Sequence, residues 1–231
     1  MEMCVHATIG SIAAQAHKSL LEKEAVDINV ALGKISAFWK RCDDQYEVTV
    51  KQFLPRFAAD NPTVSEAATA LAISEQALAA GLAPIQSVST ARAKLMAPIK
   101  NRETLDSLAP EFEYLWSLCD TYDTTGFYPF TVERSQGKTI IYARQFPKRA
   151  GYNEDAATGV AAGALGAYLS RYDVLQSKTD GWQVFEIHQG YAMGRPSVIY
   201  AEIMVENGEI AGVRIRGKAE ITAEQLLAFT L

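Results

Sequence analysis

Small and apolar residues recur at helical spacing from His6 to Leu21, with Ile9, Ile12, Ala13 and Ala16 on one face. The spacing predicts a helix that begins within six residues of Met1. Period-two alternation follows. Val26, Ile28 and Val30 alternate with Asp27 and Asn29, and after a turn at Gly33-Lys34 the pattern resumes with Ile35, Ala37 and Trp39. Tyr46, Val48 and Val50 alternate with Glu47, Thr49 and Lys51. Three strands with short connections predict an antiparallel meander. Ser65-Glu66 and Ser74-Glu75 read as N-caps ahead of Ala/Leu-rich runs. Gly81 to Pro84 reads as a boundary, Ser87 to Ile99 as extended, and Glu103 to Asp120 as helix broken at Pro110. Strands are expected at Tyr128–Glu133 and Thr139–Phe146, around the turn Ser135-Gln136-Gly137.

Thr158 to Ser170 is a second small-residue helix. Its faces are nearly all apolar or small, which predicts burial all round. Trp182 to Ile187 alternates again. Val198 to Val205 and Ile210 to Arg216 flank Asn207-Gly208, a hairpin signal because both residues tolerate positive φ. Each half of the chain thus holds one small-residue helix among short strands. His6-Ala7-Thr8 opens the first helix and Ala156-Ala157-Thr158 the second. Ala and Gly let a curled sheet wrap a helix closely. The pattern predicts an α+β protein of two pseudo-symmetric lobes, each a curled antiparallel, barrel-like sheet around a central helix, with a cleft between them. Residues 1–86 form the expected N-terminal lobe and 87–231 the C-terminal lobe, with roughly the last dozen residues returning to the first lobe.

The 231 residues suffice to bury roughly 70–75% of the unfolded surface, so neither disulfides nor a metal is needed for a core. With 48% apolar and 21% charged residues, disorder, collagen and coiled coil are excluded. No apolar run approaches the ~20 residues of a membrane span. Twenty-two basic against 27 acidic residues leave a net charge of −5, which argues against nucleic-acid or polybasic membrane binding. Met1 to His6 lacks a signal peptide's basic and apolar regions, so the expected location is cytoplasmic. Cys4, Cys42 and Cys119 lie far apart, without a C-x-x-C pair, which fits a reducing compartment and offers no zinc framework.

Helix N-termini attract anions through free N–H groups and the helix dipole. Two lobes with helix starts turned inward would make a carboxylate site. Asp155 reads either as an N-cap or as part of that site. His6, His17 and His188 are not at metal-ligand spacing. His17 reads as a surface residue, and His188 ends a strand at a loop where function is common. No P-loop, dinucleotide fingerprint or nucleophile elbow occurs.

Three stretches resemble the phenazine-biosynthesis PhzF isomerase family, of diaminopimelate-epimerase-like fold. Glu154-Asp155-Ala156-Ala157-Thr158-Gly159-Val160-Ala161 is similar to that family's E-D-P-A-T-G-S-A. Gln189-Gly190-Tyr191-Ala192-Met193-Gly194-Arg195-Pro196-Ser197 is similar to Q-G-x-x-M-G-R-P-S, and His6-Ala7-Thr8-Ile9-Gly10 to the H-A-T-L-G of its first central helix. The pattern agrees from His6 to about Gly217. The resemblance implies acid–base isomerisation of a small cyclic carboxylate between two lobes, with no cofactor and no metal, in a homodimer. It implies a proton-shuttling glutamate before the first helix, assistance from Asp155, and a carboxylate held by the second helix N-terminus. The implied catalytic residues are Glu2 and Asp155. The implied substrate-binding residues are His6, Thr158, Gly159, Val160 and Gly190.

The chain departs from that pattern in four places. Val160 replaces Ser, Ala156 replaces Pro, Val5 replaces Gly, and Glu2 stands four residues before His6 where the family spacing is six. A two-cysteine epimerase would need a thiol at each helix start. Cys4 lies near the first, but the second has Val160. A binding protein without catalysis is the other alternative. Strict register puts the family glutamate just before Met1, so either Glu2 is a shifted substitute or the N-terminal lobe is incomplete, lacking its opening strands. The DNA upstream tests this. An in-frame Glu codon directly before Met1, preceded by strand-like residues, is expected for an incomplete lobe; a stop codon there overturns it.

Overall fold

The structure, a computed structural model, describes residues 3–135, 137–176 and 179–223. Gln136 of the expected turn lies outside them, as does most of the C-terminal segment expected to return to the first lobe. Helix α1 (Val5–His17) buries Val5, Ile12, Ala13 and Ala16 as one stripe and leaves His17 exposed. Strands β1 (Ala25–Val30), β2 (Gly33–Cys42) and β3 (Gln45–Lys51) form the expected antiparallel meander. After β4 (Arg56–Phe57) comes α2 (Val64–Ala70).

Its N-cap is Thr63, not Ser65. Thr63 Oγ1 accepts from the Glu66 N–H at 3.2 Å, and Glu66 Oε2 accepts from the Thr63 N–H at 2.8 Å. This reciprocal pair needs a carboxylate three residues after the cap, which Thr63 has and Ser65 lacks. Ser74 opens only a 3-10 turn, Glu75–Ala77, because Leu78 becomes extended and bridges Ile99.

Strands β5 (Gln86–Ser89) and β6 (Ala93–Pro98) lead to α3 (Arg102–Ser107) and α4 (Phe112–Thr121), separated around Pro110 as expected. Next come β7 (Gly126–Ser135), β8 (Lys138–Ala143), β9 (Phe146–Pro147), α5 (Gly159–Arg171), β10 (Gly181–Gln189), β11 (Ser197–Glu206) and β12 (Glu209–Glu220). Between β11 and β12, Asn207 and Gly208 have φ of 53° and 79°, and both N–H groups donate to the Asp180 carboxylate at 3.0 and 3.1 Å.

The strands form one hydrogen-bonded path, β1-β2-β3-β12-β11-β10-β8-β7-β6-β5-β4, with β9 on β7. β12 joins the halves, pairing Ile215 with Val50 and Glu220 with Gln45 of β3. The all-antiparallel expectation is corrected at two joints. β6 runs parallel to β7, and β8 parallel to β10. Parallel neighbours need long crossovers. α3 and α4 supply the first and α5 the second.

The main core gathers α1, α5 and the inner faces of both halves. Every residue of α5 from Gly159 to Ser170 is buried, against β5, β6, β10, β11 and β12. A second core lies where α2, α3 and α4 meet Leu95, Ala97, Phe127 and Phe146. The glycines of α5 set how near its neighbours come. A Cβ on Gly159 would lie 2.7 Å from Val5 Cγ1, and one on Gly166 would lie 2.8 Å from Ala201 Cβ. At Gly163 the nearest atom is the flexible tip of Ile215, at 3.3 Å.

Replacing a helical glycine by alanine gains up to about 1 kcal/mol of propensity, whereas overpacking costs about 1–3 kcal/mol. Gly166→Ala must displace a strand and is expected to lower stability by about 1–2 kcal/mol. Gly163→Ala is expected to stay within about 0.5 kcal/mol of wild type. Urea unfolding of the two variants measures the difference; equal losses would refute this account of the packing.

Candidate active site

The starts of α1 and α5 open into one cleft of about 350 Å³. Met3, Cys4, Val5, His6 and Ala7 line it around the start of α1, and Asp155, Ala157, Thr158, Gly159 and Val160 around the start of α5. Among the described residues neither helix has a side-chain N-cap bond, and neither has an acid in its first turn. Two sets of free N–H groups therefore meet one space, a geometry that favours an anion.

The loop before α5 is held by a short network. Asp155 Oδ2 accepts from Thr158 Oγ1 at 2.5 Å, which occupies the threonine inside the loop and not as a cap. Gln189, fully buried at the end of β10, donates from Nε2 to the Asp155 carbonyl at 2.7 Å and to Thr158 Oγ1 at 3.1 Å. Its Oε1 accepts from the Thr158 N–H at 3.2 Å and from the Tyr128 hydroxyl at 2.8 Å. Burial raises the Tyr128 pKa, and Asp155 adds to the shift, so the phenol stays a donor. Ser197 Oγ donates to the Ala156 carbonyl at 2.9 Å. Gly190 has φ of 81°, and a Cβ there would lie 2.2 Å from the Arg195 carbonyl oxygen. Arg144 grips Glu154 through two bonds of 2.9 and 2.7 Å, and its Nη1 also holds the Leu105, Asp106 and Leu108 carbonyls at the end of α3.

The structure thus brings Asp155, His6, Thr158, Gly159 and Val160 to one cleft. Gly190 lies behind the loop as backbone that only glycine can supply, and is not among the cleft-lining residues. Glu2 lies outside the described residues. His188 sits elsewhere, bonded to Glu186 at 2.7 Å and Tyr191 at 2.9 Å. Cys119 is buried, and desolvation pushes its thiol up to about 12, so it offers no thiolate near neutral pH. Among the described residues no group of three His, Cys, Asp or Glu side chains could hold a metal ion, and no helix is long and apolar enough to cross a membrane.

Sequence reasoning missed a further set of cleft-lining residues, Arg92, Lys94, Thr125, Gln145 and Tyr152. Lys94 is only 6% exposed, and its Nζ donates to the Thr125 carbonyl at 3.1 Å. Desolvation, then Arg92, lower its pKa from 10.5 to about 8, against smaller opposing effects of Cys119 and Asp155. Ala93–Pro98 does not alternate, and a lysine in a strand reads as a solvent-facing residue, so no sequence signal marked Lys94.

A model of the family described as phenazine biosynthesis-like protein (PhzC-PhzF) matches residues 1–225. An uncharacterized isomerase of Clostridium acetobutylicum is 31% identical over 221 residues, covering 95% of this chain and 72% of that protein. The uncharacterized isomerase YddE of Escherichia coli K12 is 29% identical over 221 residues, covering 95% and 73%. The crystal structure of a Bacillus anthracis phenazine biosynthesis protein of the PhzF family shares the fold with a TM-score of 0.83 at 24% identity, covering 99% of this chain and 77% of that one. A Pseudomonas aeruginosa protein described as a predicted epimerase gives 0.73 at 23%, covering 95% and 74%.

Lys94 has a measurable cost. Between pH 8 and 10.5 the folded protein holds fewer protons on Lys94 than the unfolded chain does, so wild-type stability rises with pH across that window. Below about pH 8 the burial penalty is fully present, at most about 3 kcal/mol. Lys94→Met is expected to raise Tm at pH 7, and the gain is expected to shrink as pH climbs from 8 to 10.5. The Thr125 carbonyl keeps a bond from the Lys148 N–H at 3.1 Å. A variant less stable than wild type at pH 7 would show that the burial cost is offset elsewhere.

Proposed function

The chain belongs to the phenazine biosynthesis-like PhzC-PhzF family, whose curated relatives carry isomerase names, and from that premise we propose that it moves a proton within a small cyclic carboxylate bound in the cleft. The observation that carries this reading is the meeting of two uncapped helix starts at one cleft with a single lining carboxylate, Asp155, among the described residues. The substrate carboxylate takes the free N–H groups at the start of α5. Val160 contributes only its backbone there, since it has no hydroxyl. Asp155 sits three residues before Thr158 on the same loop, beside the space that a bound ring would fill.

A proton leaves one ring carbon to a carboxylate, and the same group or its neighbour returns it to another carbon. The reaction is redox-neutral and needs no second substrate. Glu2 is the shuttle that the family resemblance implies, with Asp155 assisting. General acid–base help of this kind contributes about 10²–10⁴-fold.

The presence of one carboxylate among the described cleft residues also favours a second reading, a small-acid binding protein without turnover. Solvent exchange separates the two. In D2O, wild type is expected to incorporate deuterium into small cyclic acids of the dihydro-hydroxyanthranilate type, followed by mass spectrometry. Asp155→Asn keeps an oxygen to accept from Thr158, so the loop is retained while the proton acceptor is lost. Exchange is expected to fall at least about 100-fold in this variant. Undiminished exchange in Asp155→Asn would overturn its assignment, and calorimetric binding without exchange in wild type selects the binding protein.

A further inference from the structure

One wall of the cleft holds two polar groups that the proposed reaction leaves unused. Gln145 is 1% exposed, lines the cleft, and has neither its side-chain oxygen nor its nitrogen hydrogen-bonded. Buried amides are satisfied in nearly all native structures, and both polar atoms of this one are closed off, so they find a partner only when the side chain turns toward the cleft. Its backbone is fixed, since its carbonyl accepts from the Asp155 N–H at 3.0 Å. Its nitrogen lies against Gly126, where a Cβ would come within 2.8 Å. Lys94 stands on the same wall with the Thr125 carbonyl as its bond, and among the described residues it forms no ion pair with a carboxylate. A buried ammonium without a counter-charge is costly. Arg92 adds a second cation to this wall. Lys148, the remaining lining cation, is already paired with Asp120.

We propose that Lys94 and Gln145, flanked by Arg92, form a second carboxylate subsite, so that the acid the cleft takes is a dicarboxylate. One carboxylate rests on the α5 N-terminus. The other accepts from the Lys94 ammonium at one oxygen and, once the Gln145 side chain turns into the cleft, from its amide nitrogen at the other. This supplies the counter-charge that Lys94 lacks and the partner that Gln145 lacks. The inference rests on the cleft being an acid-binding site, as proposed above, and adds the class of acid.

The probes are cis-cyclohexane-1,3-dicarboxylate and cyclohexanecarboxylate, titrated calorimetrically at pH 7 into the full chain. A hydrogen-bonded charge pair predicts that wild type binds the diacid at least about tenfold more tightly. Lys94→Met is expected to bind both acids alike, and Gln145→Leu, which keeps the ammonium, to lose part of the preference. Thermal melts establish that both variants are folded. If the monoacid binds and the diacid binds no more tightly, or if Lys94→Met keeps the preference, this inference falls and the acid-binding reading stands. If neither acid binds wild type, both fall together.

Discussion

Val5 at the start of α1 lies where any side chain on Gly159, at the start of α5, would have to be. This contact brings two helix N-termini side by side. A single methyl at Gly159 would force them apart and open the cleft that both line. The rest of α5 follows the same constraint at Gly166, where β11 comes as near as a helix allows. A helix buried on every face has no polar side to orient it, so its position comes from shape alone. Small residues make that shape narrow enough for strands from both halves to surround it.

Two uncapped dipoles then define the charge of the cleft in a protein that is acidic overall. An acid in the first turn of either helix would cancel the field, and neither first turn holds one. Thr158 could have capped α5, but its hydroxyl is engaged by Asp155. Gln189 holds this arrangement from behind, using one buried amide to fix both ends of the turn. The front of the cleft presents helix N–H groups, and the back is tied by hydrogen bonds.

Much of this was legible beforehand. Alternation located the β1–β3 meander, and Asn207-Gly208 the last hairpin, because both signals are local. The motif around Asp155 and the small residues of α5 pointed to the segment that lines the cleft, and Gly159 has a packing role there that no larger residue can fill. What escaped was non-local. The parallel pairing of β8 with β10 depends on where α5 crosses, which no strand pattern records. Gln189 and Ser197 read as parts of a motif, but their hydrogen bonds to the Asp155–Thr158 loop appear only once β10 and β11 lie beneath it. Lys94 and Gln145 carry no sequence signal at all, because a lysine in a strand and a glutamine between two strands look like solvent-facing residues until a second segment buries them.

The pairing of β12 with β3 has a consequence for synthesis. The β1–β3 meander leaves the ribosome early, yet the strand that completes its inner edge spans Glu209–Glu220. Until β12 has emerged, β3 carries an unpaired row of backbone groups beside the half-covered α1. At ~5–20 residues per second this exposed state lasts on the order of ten seconds or more. Folding of the first half is therefore timed by the last strand, and a chaperone that shields the β3 edge would act during elongation and not after release.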